Sequence, residues 1–135
     1  MKVAHIAAIT YVVISVGVVA FQLALALGLP WGAYAMGGAY PGQFPPPMRV
    51  AAVIQAVLLS LVAGVVLACA GLALPRWARV SRWLIWGIVA LLGVSVLLNF
   101  ISPSGGERMI WTPVAALLLL CAVVVAVESR KAHSP

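Results

Sequence analysis

Apolar residues follow one another along this chain in four long runs, which cover residues 3–29, 50–74, 83–101 and 109–127. Within each run they are nearly continuous, whereas a strand of a membrane barrel alternates apolar and polar residues. A helix needs about 20 residues to cross the hydrocarbon core, with a usual range of about 17 to 25. Lipid offers no partners for backbone polar groups, so only helices and closed barrels span a membrane. The pattern therefore predicts four transmembrane helices.

The connections between these runs are too short for a separate soluble domain, the longest being residues 30–49. Pro30 and Pro75 stand where the first two helices should end, and Thr112-Pro113 is typical of an N-cap followed by proline in the first helical turn. We therefore expect a single all-α domain over residues 1–135, a transmembrane four-helix bundle that runs up, down, up and down.

The first run has an alternative interpretation as a cleaved signal peptide. Lys2 precedes it, and Ala24-Leu25-Ala26 has the small-x-small form of a cleavage site. The apolar region of a signal peptide is about 7 to 15 residues long, which is well short of this run. The length favours a retained helix.

Composition supports a membrane protein and excludes a soluble globular one. Hydrophobic residues make up 65% of the 135 residues, while charged residues make up 7%, against about 25% in an ordinary soluble domain. The net charge of +6 comes from 8 Lys and Arg facing 2 acidic residues, with no Asp in the sequence. We therefore attribute the positive charge to missing acids and expect no nucleic-acid partner.

The basic residues predict the orientation, because Lys and Arg concentrate in short cytoplasmic loops. Both termini and the 75–82 connection are expected in the cytoplasm, and residues 30–49 are expected outside. The aromatic residues of 30–49 suit the headgroup layer, and the composition of this loop suggests that it folds back onto the mouth of the bundle. The arginines of 75–82 are also compatible with an anionic-lipid site, although topology explains them more simply. In this orientation the cytoplasmic side carries six basic residues and the outer side two. They are Lys2, Arg76, Arg79, Arg82, Arg130 and Lys131 in the cytoplasm, and Arg49 and Arg108 outside.

Small residues recur every four positions in the second run and, over a shorter stretch, in the first. Residues spaced by four lie near one helix face, and small side chains let helix backbones approach closely in lipid. We expect the first two helices to pack as an antiparallel pair, although the same stripe could join two copies of the chain. The expected packing residues are Ala52, Ala56, Ser60, Gly64 and Ala68, with Ala20, Ala24 and Gly28.

Polar residues at similar depth in all four helices form a candidate binding site near the outer end of the bundle. Polar side chains inside a membrane are costly and often functional. One interpretation makes the amides mutual hydrogen-bonding partners that hold the helices together. The other makes them the wall of a pocket, with an arginine available for a phosphate or carboxylate head. The candidates are Gln22, Gln55, Asn99 and Thr112, with Arg49, Glu107 and Arg108 just above them.

The chemistry of an enzyme is hard to assemble from this sequence. The predicted membrane interior holds no carboxylate, and both histidines, His5 and His133, are terminal, so a catalytic triad or a buried proton relay is not expected. Small four-span multidrug exporters are of similar size, but they use a membrane-embedded glutamate where this chain has only Gln22. Cys69 and Cys121 are expected to be buried free thiols. We expect no metal and no cofactor.

Several motifs resemble those of a group of small bacterial four-span membrane proteins of uncharacterised function. The resemblance covers most of the chain and implies a multi-pass protein of the bacterial inner membrane. The resemblance implies no particular ligand or activity. The motifs are Pro30-Trp31-Gly32, Gly37-Gly38, Pro45 to Arg49, Asn99, Glu107-Arg108 and Thr112-Pro113.

Together these observations favour a non-enzymatic membrane protein that binds a lipid or other amphiphile at the outer leaflet, or serves as an accessory to a membrane partner. The alternative is an oligomeric subunit of a small-molecule transporter or channel, assembled through the small-residue stripe. An enzyme acting on a lipid headgroup ranks third, with Glu107 as its only outward acid or base.

Overall fold

The computed structural model describes residues 2–35 and 38–132, and the side chains of all of these except Lys2, Glu107 and Ala132. It contains four long helices, which we number α1 (Lys2–Ala26), α2 (Pro46–Cys69), α3 (Ala78–Phe100) and α4 (Gly105–Ala132). Each includes a segment long and apolar enough to cross a membrane. Short 3-10 turns at Gly32–Tyr34 and Pro75–Trp77 lie in the connections. The predicted all-α transmembrane bundle is confirmed.

The helices alternate in direction around the bundle. One core cluster joins the first halves of α1 and α3, represented by Tyr11 and Ile85, to the second halves of α2 and α4, represented by Val66 and Cys121. Packing is extensive between α1 and α2, between α3 and α4, and between α4 and α1, and it is less extensive between α2 and α3. The first residues of α1 and the last of α4 therefore share one end of the bundle, the terminal end, and we call the opposite end the loop end.

Glycines terminate α1 and α2 before the chain reaches the prolines that the sequence suggested as stops. Gly28 has a φ of +98°, and the N–H of Leu29 donates to the carbonyl of Ala24 at 3.1 Å. This is the Schellman arrangement, whose left-handed residue is favourable only for glycine. Gly71 ends α2 in the same way, since its φ is +78° and the N–H of Leu72 donates to the carbonyl of Leu67 at 3.0 Å.

The expected start of the fourth helix is wrong. Thr112 does not cap it, because α4 begins at Gly105 and Pro113 lies inside it. The N–H of Arg108 donates to the carbonyl of Ser104 at 3.0 Å, so the helix is already formed one turn beyond Ser104. Ser104-Gly105-Gly106-Glu107 has the spacing of a capping box, so the sequence carries a second possible helix start ahead of Thr112.

The first two helices, α1 and α2, form the expected antiparallel pair, and part of the small-residue stripe of α2 is buried in the bundle. Ala52, Ala56 and Ala68 are buried, whereas Ser60 is exposed and its hydroxyl donates to the carbonyl of Ala56 at 2.9 Å. Gly64 is half-buried. On α1 and just beyond it, Ala20 is exposed and Ala24 and Gly28 are half-buried. The two ends of the α2 stripe are therefore buried within the chain, whereas its middle is exposed or half-buried.

The two cysteines lie in the core cluster of the bundle. Cys69 and Cys121 are both buried and free. The prediction of buried free thiols is confirmed.

Candidate binding cavity at the loop end

A cavity of about 550 Å³ lies between the four helices at the loop end. Its volume falls within the range of about 300 to 1,000 Å³ that is common for small-molecule sites. Leu92 and Leu118 line it and also belong to the core cluster, so they form its floor. Most of the remaining lining is apolar and includes Val18, Leu59 and Val114. Such a wall suits the hydrocarbon part of a ligand.

Three of the predicted polar residues converge on this cavity from three different helices: Gln22, Gln55 and Asn99. The Asn99 side-chain amide donates to the carbonyl of Ser95 at 2.8 Å, within its own helix. Among the described residues, no hydrogen bond links these three side chains, and the amides of Gln22 and Gln55 have no partner. Mutual hydrogen bonding between helices, as the structural interpretation requires, is therefore not observed in this part of the chain.

Aromatic side chains form the wall and roof at the mouth of the cavity. The rings of Phe21 and Trp111 lie 4.7 Å apart in a tilted arrangement, and Trp31 stacks on Phe21 at 6.2 Å. The indole N–H of Trp111 donates to the carbonyl of Tyr34 at 2.6 Å, which ties α4 to the first long connection. Phe21 and Trp111 were not predicted from the sequence as lining residues.

The connection over residues 27–45 folds back onto the bundle mouth, as the sequence suggested. The hydroxyl of Ser104 donates to the carbonyl of Ala33 at 2.7 Å. Gly106 lies directly beneath Tyr34, since a Cβ there would stand 2.6 Å from the ring carbon Cδ1. Phe44 is buried in a small cluster at the mouth. The connection is thus fastened to α4 and packed over the cavity.

The predicted cationic residues lie outside the described lining of the cavity. The Nε of Arg49 donates to the carbonyl of Phe44 at 2.8 Å, and its guanidinium packs against Gly28. Gly28 follows the carboxyl end of α1, where unpaired carbonyls favour a positive charge. Arg108 is exposed near Gly105, in the first turn of its own helix. Arg49 therefore holds the connection and the end of α1 together.

Thr112 and Glu107 are the two remaining candidates that the sequence offered for the site. The hydroxyl of Thr112 is buried without a hydrogen-bond partner among the described residues, and Thr112 is not among those that line the cavity. The side chain of Glu107 lies outside the described residues.

The cavity opens sideways between α2 and α3. Ala51 and Gln55 of α2 and Leu98 of α3 line it and are nevertheless exposed. These two helices also pack against each other less extensively than either of them packs against its other neighbour. An opening between membrane-spanning helices faces lipid, so a molecule dissolved in the bilayer has a direct route into the cavity.

No family model, curated protein or solved structure matches this chain. The fold shows a multi-pass membrane protein. Its resemblance to the bacterial group stays a prediction.

Proposed function

We propose that this chain is a non-enzymatic protein of the bacterial inner membrane that binds a lipid or other amphiphile in the loop-end cavity. One observation carries the proposal: amides from three helices enter a largely apolar cavity that opens toward lipid, and two of them have no described partner. An unpaired polar group away from water costs about 1–3 kcal/mol. A ligand with a polar head and an apolar body would remove that cost and fill the space.

The charge distribution supports an outward position for the cavity. Arg76, Arg79, Arg130 and Lys131 are exposed at the terminal end, which the positive-inside rule assigns to the cytoplasm. The loop end then faces the outer leaflet. A binding role rather than catalysis is supported by the described lining, which contains no carboxylate, histidine or cysteine.

A bulky substitution at the lateral opening tests the proposal. Ala51 lines the cavity and is exposed, so Ala51→Trp should obstruct the opening without overpacking the core. Val53 is exposed on the same helix but does not line the cavity, so Val53→Trp is the matched control. Native mass spectrometry in a mild detergent should show a bound small molecule on the wild type and on Val53→Trp, and at least tenfold less on Ala51→Trp. Equal occupancy in all three proteins would overturn the proposal.

The alternative of an oligomeric transporter or channel subunit requires contact between copies through the small-residue stripe. Ala52 and Ala56 of that stripe are buried within the single chain, which supports the monomeric binding role. The same spectra discriminate between the two, since a defined homo-oligomer without a bound small molecule would favour the alternative.

A further inference from the structure

We propose that the loop-end cavity selects an uncharged amphiphile, whose head carries hydroxyl or carbonyl groups in place of phosphate, carboxylate or ammonium. This inference rests on the proposed function and specifies the ligand class. It departs from the sequence-based expectation of an arginine that pairs with an acidic headgroup.

The polar lining is neutral and has both donors and acceptors. Gln22 and Gln55 each offer an amide N–H₂ and a carbonyl oxygen, and Asn99 retains its side-chain carbonyl because its N–H₂ donates to Ser95. A hydroxyl group can donate to such carbonyls and accept from such amides, and a ligand carbonyl can accept from Gln22 or Gln55. No charged side chain is among the described residues that line the cavity. The chemistry of the wall therefore matches a neutral head.

An anionic head inside the cavity would meet no positively charged side chain among the described lining residues. Arg49 donates to the carbonyl of Phe44 and packs against Gly28, so turning it toward the cavity would release the connection that covers the mouth. Arg108 is exposed beside its own helix start. An ionised group taken out of water without a partner is strongly unfavourable. These positions disfavour phosphate and carboxylate heads.

A cationic head is also disfavoured, even though aromatic rings surround the mouth. Cations bind over the face of an aromatic ring. Phe21 has Trp31 stacked on it at 6.2 Å and Trp111 tilted against it at 4.7 Å. Neighbouring rings already crowd Phe21, and no carboxylate among the described lining residues would pair with an ammonium group.

The test compares three probes that share an oleyl-type chain and differ in the charge of the head. They are 1-oleoylglycerol, 1-oleoylglycerol 3-phosphate and oleyltrimethylammonium, each titrated against the purified full chain in mild detergent with native mass spectrometry as the readout. We expect 1-oleoylglycerol to bind at least tenfold more tightly than either charged probe. Gln55→Leu should weaken its binding about five- to tenfold, as expected for one lost hydrogen bond. Arg108→Gln, the control, should leave the preference unchanged.

The outcomes separate this inference from the proposed function. If either charged probe binds as tightly as 1-oleoylglycerol, and Ala51→Trp blocks it, the cavity binds amphiphiles but the inference of an uncharged head is overturned. If no probe binds, and the wild type retains no small molecule that Ala51→Trp removes, the proposed function fails as well. If Gln55→Leu binds 1-oleoylglycerol as tightly as the wild type does, the inference is also contradicted, because the amide of Gln55 would not be in contact with the head.

Discussion

Gly32 offers the sharpest test of how the long connection is folded. Its N–H donates to the carbonyl of Gly42 at 2.9 Å, which joins the two sides of a turn in the connection. A Cβ at this position would overlap the carbonyl oxygen of Tyr40 and stand 2.7 Å from that of Gly42. Both atoms belong to the backbone, so no side-chain rotation relieves the clash. Gly32→Ala should therefore force the turn open and break the hydrogen bond.

The expected cost of Gly32→Ala follows from these contacts. Overpacking typically costs about 1–3 kcal/mol, and one lost hydrogen bond about 1 kcal/mol, which gives about 2–4 kcal/mol. For a chain of this size, each kcal/mol corresponds to a shift of about 4 °C in the melting temperature. We therefore expect the unfolding midpoint to fall by about 8–16 °C.

The two native thiols provide the assay. Cys69 is 4% exposed and Cys121 is 9% exposed, so a thiol-reactive fluorophore should react with them mainly when the bundle opens. The control is Gly17→Ala, since a Cβ at Gly17 would meet nothing within 4 Å. A midpoint for Gly32→Ala within about 2 °C of the Gly17→Ala midpoint would refute the close packing of this turn, or its coupling to the bundle.

Three further predictions follow from the helices. Ala56→Leu should lower the free energy of unfolding by about 1–3 kcal/mol because Ala56 is buried, whereas Ser60→Leu, one turn along the same stripe, should be tolerated because Ser60 is exposed. Equal losses of stability in the two variants would contradict this packing. Pro113→Ala should raise the midpoint, since it restores an amide donor inside α4, and a decrease would indicate that the proline shapes the helix favourably. A cysteine replacing exposed Gln43 should react with an impermeant maleimide in intact cells and one replacing Arg76 should not, with little background from the buried native thiols; the opposite pattern would reverse the orientation.

The four helices were predictable because each depends on a local property, a continuous apolar run long enough to cross lipid. The start of α4 was not, because Thr112-Pro113 and Ser104 to Glu107 both resemble helix starts and the apolar pattern does not choose between them. The structure selects Ser104, whose hydroxyl also donates to Ala33 of the long connection. That contact is between residues far apart in sequence, so local propensity carried no information about it.

The candidate site was predictable only where depth in the membrane decides position. Gln22, Gln55 and Asn99 share a depth, and the structure brings them to one cavity. Arg49 was predicted at nearly the same depth, but its Nε donates a hydrogen bond to the carbonyl of Phe44. Its side chain therefore lies against the connection instead of lining the cavity. Trp111 was missed although it lies in the predicted run 109–127, because a continuous apolar run does not show which of its residues face the cavity.

The order in which the helices are connected accounts for where the cavity opens. Residues 70–77 hold α2 and α3 together at the terminal end, where the core cluster fills the space between the helices. At the loop end, no direct connection joins α2 to α3, because the chain links α1 to α2 through residues 27–45 and α3 to α4 through residues 101–104. The two helices can therefore separate there, and small or flexible residues such as Ala51 and Gln55 line the gap. The lateral opening therefore lies where neither a direct connection nor extensive packing joins the two helices.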